Sequence, residues 1–98
     1  MKNKLPKKLN ILGYVYTVDV NDEKKTGNSN LGNHWGSENK IWINSNQCQI
    51  MRESCLLHES IEAINYHLGL KLDHNVICKL ETALYQLLKE NKLWITRG

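Results

Sequence analysis

The hydrophobic pattern of the chain changes period once, near Ser45. Before that point, residues 11–20 (ILGYVYTVDV) are rich in β-branched and aromatic types and alternate from Tyr14 to Val18, which predicts a strand beginning after Pro6 and Gly13. It ends at Asn21-Asp22. Residues 21–33 (NDEKKTGNSNLGN) are polar, carry glycine and show no period, so they read as a long surface loop. Residues 40–44 (KIWIN) predict a second short strand. His34 and Trp35 fall on a third, paired with it across Gly36-Ser37-Glu38-Asn39, a sequence with hairpin chemistry.

After Ser45 the period becomes helical. Ile50, Leu57, Ile61, Ile64 and Leu68 fall in one stripe at 100° per residue, which predicts an amphipathic helix over about 46–68 that stops at Gly69. Asp73 is placed to cap a second helix over about 74–90, with Val76, Leu80, Leu84 and Leu87 as its apolar stripe. The short link 69–72 makes the two helices adjacent and broadly antiparallel. The element order gives an α+β fold, a small antiparallel or mixed sheet followed by two packed helices on one of its faces.

Composition narrows the class. The 98 residues, 41% hydrophobic and 23% charged with one proline, suit a single domain over 1–98, and no window approaches the roughly 20 apolar residues of a spanning helix. A basic start without an apolar run behind it does not resemble a signal peptide, so a cytoplasmic location is expected. The net charge is +3, with Lys2, Lys4, Lys7 and Lys8 crowded into a basic, partly flexible N-terminus over 1–10. The helical region carries only Arg52, Lys71, Lys79 and Lys89, too few for a face that grips nucleic acid. Cys48, Cys55 and Cys78 form neither a C-x-x-C pair nor an even set and read as reduced thiols.

One segment carries chemistry. In Leu56-Leu57-His58-Glu59-Ser60-Ile61-Glu62, His58 and Glu62 are four apart and lie one above the other, about 6 Å apart, on one helix face. Two lone-pair donors can therefore meet at one metal ion, and Glu59 stands beside them as a general base would. The second helix offers His74 and Glu81, about 10.5 Å apart along its axis, so one of them is expected to complete the set. Antiparallel helices bring Glu81 level with 58–62 and leave His74 as a supporting group or proton donor; a steep crossing would favour His74 as ligand instead.

His58-Glu59-x-x-Glu62 followed after eighteen residues by Glu81 resembles the gluzincin arrangement of zinc metallopeptidases, an H-E-x-x-H helix with a glutamate ligand on a following helix. More closely, Leu5-Pro6-Lys7-Lys8, the strand Gly13-Tyr14-Val15-Tyr16-Thr17-Val18 and the stretch His58 to Leu88 resemble small phage and prophage proteins regarded as minimal zincin-like metallopeptidases. The resemblance implies a minimal zincin-like fold, hydrolysis of peptide bonds in a peptide or protein substrate, and ligands His58 and Glu81. It implies Glu59 as the base that takes the proton of the attacking water, and strand 40–44 as the strand that holds substrate by strand addition. Glu62 stands where the family has histidine. Carboxylate in place of imidazole makes the set His58, Glu62 and Glu81, which suits zinc and, being oxygen-rich, also manganese or iron(II). His74 or Tyr85 is expected to stabilise the oxyanion.

Two rival readings use the same region. Cys55, His58, His74 and Cys78 could form a structural Cys₂His₂ zinc site, each helix giving a thiolate and an imidazole. The departure at Glu62 also fits a catalytically inactive zincin-like interaction protein. His34 and His67 are expected at the surface, Trp35 and Trp42 in sheet packing, and Trp94 folded back on the core.

Overall fold

The first hairpin turns on two residues, Leu12 and Gly13, both with positive φ (55° and 88°), the conformation that matches the twist of the strands it joins. In the computed structural model, which describes residues 5–22 and 31–94, this turn links β1 (Lys8–Ile11) to β2 (Tyr14–Asn21). Strand β1 was not anticipated, because Pro6-Lys7-Lys8 and the solvated lysines read as a tail. Leu5, buried at the edge of the core, anchors it. Residues 1–4 of the basic N-terminus and 23–30 of the expected loop lie outside the described residues.

Strand β3 (Gly32–Trp35), a 3₁₀ turn over Gly36–Glu38 and β4 (Lys40–Asn44) form the expected second hairpin. Asn39 closes that turn in the left-handed conformation, which asparagine tolerates better than most residues. The sheet is mixed, in the order β1-β2-β4-β3, with β2 and β4 parallel and the other pairs antiparallel. Strand 40–44 is therefore interior, with both its edges paired, and cannot accept an added strand. The edge strand on that side is β3.

Helix α1 (Gln49–Leu68) starts after Cys48 and ends where Gly69 takes the left-handed conformation (φ 62°). Buried Arg52 ties its first turn down, donating from Nη1 to the carbonyls of Ser45 and Gln47 and from Nη2 to Gln49 Oε1. Helix α2 (His74–Glu90) begins as expected at Asp73, whose Oδ1 accepts from the Val76 amide, a cap worth about 1 kcal/mol. The element order is that of an α+β fold. Among the described residues no helix is long and apolar enough to cross a membrane.

The layering departs from expectation. Helix α1 lies on the sheet, where Cys55, Leu56 and Ala63 join Tyr16, Val18, Ile41 and Ile43 in the core, while α2 packs chiefly against α1. The face of α1 toward the sheet thus runs through Arg52, Cys55, Leu56, Glu59 and Ala63; of the expected stripe, Ile61 is buried and Ile64 packs against the core, while its ends Ile50 and Leu68 are exposed. Ile77 is the one buried residue of α2; Val76, Leu80 and Leu87 of its expected stripe are exposed.

Polar contacts fix how α2 sits. Glu53, buried on α1, accepts from Tyr85 Oη (2.6 Å) and lies 3.0 Å from Lys89 Nζ, with Gln49 on its other oxygen. Burial alone would raise the Glu53 carboxyl, but the hydrogen bonds from Tyr85, Lys89 and Gln49 outweigh it and hold the group below its ordinary value. The phenol of Tyr85 is pushed up by burial and by Glu53, so Tyr85 is committed to the helix interface and not to an oxyanion. Trp94 folds back edge-on against Tyr85, 5.4 Å between ring centroids.

Two stability measurements check this arrangement. Ile77→Ala is expected to cost about 2–5 kcal/mol in urea unfolding and Leu80→Ala less than about 1 kcal/mol, the reverse of what the sequence stripe implies. The Glu53 carboxylate stabilises the fold fully above the ordinary value of 4.5 and loses that contribution as pH falls through its lower folded value. Unfolding free energy measured from pH 6 downward should therefore decline in this acid range, and the decline should be shallower in Glu53→Gln.

Candidate metal centre

The antiparallel register of the helices sets Ser54, His58 and Glu62, spaced by four along α1, against His74, Cys78 and Glu81 on one face of α2. His58, partly buried, is the hub. Its Nδ1 lies 2.8 Å from Glu81 Oε1, and its Nε2 lies 3.4 Å from Glu62 Oε2. Each carboxylate thus faces a different nitrogen of one ring, Glu81 the Nδ1 and Glu62 the Nε2. Ser54 Oγ donates to the other oxygen of Glu81 and fixes that carboxylate.

His74 closes the front of the cluster. Its Nδ1 is 3.6 Å from Glu62 Oε2, its Nε2 is 3.4 Å from Cys78 Sγ, and its ring meets that of His58 edge-on at 5.0 Å. Two sets of potential ligand atoms lie within 4.8 Å of one another: His58, Glu62 and His74, and His58, Cys78 and Glu81. Imidazole, carboxylate and thiolate are the donor types that metal ions take from proteins, so the cluster can hold a metal ion.

The expected set His58, Glu62 and Glu81 does not converge on one point among the described residues. The physical reason is the ring of His58, which stands between the two carboxylates and offers each a different nitrogen. Glu81 is level with 58, as the antiparallel register requires, and His74 is level with Glu62, so both residues of α2 reach the cluster from opposite sides of that ring. Cys55 is in neither set. Its thiol points to Gln47 Oε1 (3.9 Å), and burial, with the negative charges of Glu59 and Glu81 adding, pushes it up to about 11.

Glu59 lies on the sheet side of the helix, buried, with Oε1 3.4 Å from Nδ1 of His34 on edge strand β3. Both His58 and Glu59 line a cleft of about 520 Å³ that runs from Leu31 and Gly32 on the sheet edge past Met51 to His74, Cys78 and Glu81. Gly32 is needed there, since a Cβ would stand 3.0 Å from the Trp42 carbonyl oxygen.

Three residues take places that the sequence did not assign them. His34, expected at the surface, faces Glu59. His67, also expected at the surface, shares a 2.6 Å hydrogen bond with the buried Tyr16 hydroxyl and stacks on Tyr14 at 3.9 Å, pinning the end of α1 to β2. Ser54, unremarked in the sequence, holds Glu81; its spacing of four from His58 was the available signal. Trp42 is buried in the sheet as expected, its Nε1 donating to Asn21.

Thiol labelling reads the different surroundings of the cysteines. Cys48 is exposed, Cys78 partly so, and Cys55 buried, so alkylation followed by mass spectrometry of the folded protein should modify Cys48 and Cys78 well before Cys55. Equal rates at all three would contradict this placement.

Comparison of the chain with protein-family models, with characterised proteins and with solved structures finds no match in any of the three, so its chemistry rests on these side chains alone.

Proposed function

We propose that the protein is a metal-dependent peptidase. The observation that carries the proposal is the convergence of His58, Glu62 and His74 within 4.8 Å, with His58 and His74 lining a cleft whose wall also includes Glu59. Imidazole, carboxylate and imidazole fit zinc, and manganese or iron(II) are compatible with the same donors. When bound, the ion would supply Lewis acidity, polarising a peptide carbonyl and acidifying water beside it.

The chain's own residues do the rest. Glu81, held by Ser54, fixes the ring of His58 so that its Nε2 faces Glu62, the support that histidine ligands commonly receive. Glu59 accepts the proton of the attacking water and delivers it to the leaving amine. His34, against Oε1 of Glu59, restrains that carboxylate at the cleft wall. Strand β3 pairs with β4 on one side only among the described residues, and its outer edge adjoins the cleft, so a substrate backbone extended along it would pass the cluster.

A structural Cys₂His₂ site has less support, because Cys55 is turned to Gln47 and belongs to neither donor set. The zincin-like interaction protein without metal is the remaining rival, and metal content separates it.

Elemental mass spectrometry on protein purified without a metal-affinity tag should find near-stoichiometric metal in the wild type. Glu62→Ala should lose it, and the Cys55/Cys78 double serine variant should keep it. Glu59→Gln should keep the metal and lower peptide hydrolysis by roughly 10²–10⁴-fold. A wild type that cannot be loaded with zinc, manganese or iron would sink the proposal, and metal lost from the cysteine variant and also from Cys55→Ser alone would select the structural site.

A further inference from the structure

We propose that the other side of the His58 ring forms a second cation seat, made by His58, Cys78 and Glu81, that takes a thiophilic divalent ion such as zinc or cadmium. The ligand atoms of these three residues lie within 4.8 Å of one another, and all three line the cleft. Cys78 and Glu81 are three apart on α2 and so share a face, while His58 meets them from α1. The set differs in kind from the front one. It contains sulfur, and a thiolate beside imidazole and carboxylate selects zinc-like ions over manganese or magnesium, whereas His58, Glu62 and His74 offer only nitrogen and oxygen. Glu81 is already oriented for such a role by Ser54.

The two seats share one residue. Glu81 faces Nδ1 of His58 and Glu62 faces Nε2, and a neutral imidazole has a lone pair on only one nitrogen. An ion in the rear seat takes Nδ1 and displaces its contact with Glu81, leaving Nε2, the atom the front seat needs, without a lone pair. The seats therefore compete for one ring. On the peptidase reading, which this consequence rests on, excess zinc or cadmium switches the front site off through Cys78.

Cobalt(II) added to metal-free full-length protein tests the seat by absorption, because a cobalt–thiolate bond gives an intense near-ultraviolet charge-transfer band that nitrogen and oxygen ligands do not. The wild type should show the band; Cys78→Ser and Cys78→Ala should lose it while Cys55→Ser and Glu62→Gln retain it, circular dichroism confirming that each variant is folded. No band in the wild type, or a band that survives loss of Cys78 or disappears with Cys55, overturns the second seat. Cobalt bound without the band removes this seat and leaves the peptidase reading standing, whereas failure to bind cobalt at all removes both.

Discussion

The antiparallel contact between α1 and α2 is what the rest of the site depends on. It is fixed at one end by the Glu53 carboxylate, which gathers Tyr85 and Lys89 from the second helix, and in its middle by Ile77. With those held, Ser54 and His58 face Glu81, and Glu62 faces His74. Two helices that share a short link and a buried ionic clamp have little freedom to slide, and the clamp sits in the turn next to Ser54, so its register is passed directly to the cluster.

A small chain bears a cost for such a cluster. Three carboxylates and three imidazoles stand within a few ångströms in and around the cleft, where desolvation penalises charge and like charges repel. Polar contacts offset part of this: Ser54 and His58 hydrogen-bond Glu81, and His34 lies 3.4 Å from Glu59. A divalent cation would offset more, since it pairs with the carboxylates directly and stabilises only the folded arrangement that assembles them. Glu59 and His58 are adjacent in sequence yet serve different layers, one toward the sheet and one toward α2, because 100° of helical rotation separates them.

The sheet decides what the cleft adjoins. Because β4 pairs with β2 on one side and β3 on the other, β3 is left at the rim, where it packs against α1. Had β4 been the edge, the cleft would border a different strand and Glu59 would have no histidine opposite it. The Tyr14, Tyr16 and His67 contacts at the far end of α1 complete the positioning by anchoring that end of the helix to β2.

Much of this was legible in one dimension. Periodicity and caps located β2, β4 and both helices, Asp73 and Gly69 marked helix ends correctly, and the i, i+4 spacing of His58 and Glu62 singled out a donor pair, because these signals depend only on near neighbours along the chain. Strand β1 was hidden, since a Leu-Gly turn is a weaker hairpin signal than Asn-Gly and the lysines beside it suggest a tail. The sequence could not say which face of α1 meets the sheet, as apolar residues lie on two of its faces and the burial of Arg52, Glu53 and Glu59 runs against composition. Nor could it tell that His74 and Glu81 would join different groupings around His58. That division follows from the orientation of one imidazole ring, which gives each carboxylate its own nitrogen, and one of those carboxylates lies 23 residues away in the chain, where only tertiary packing brings it within reach.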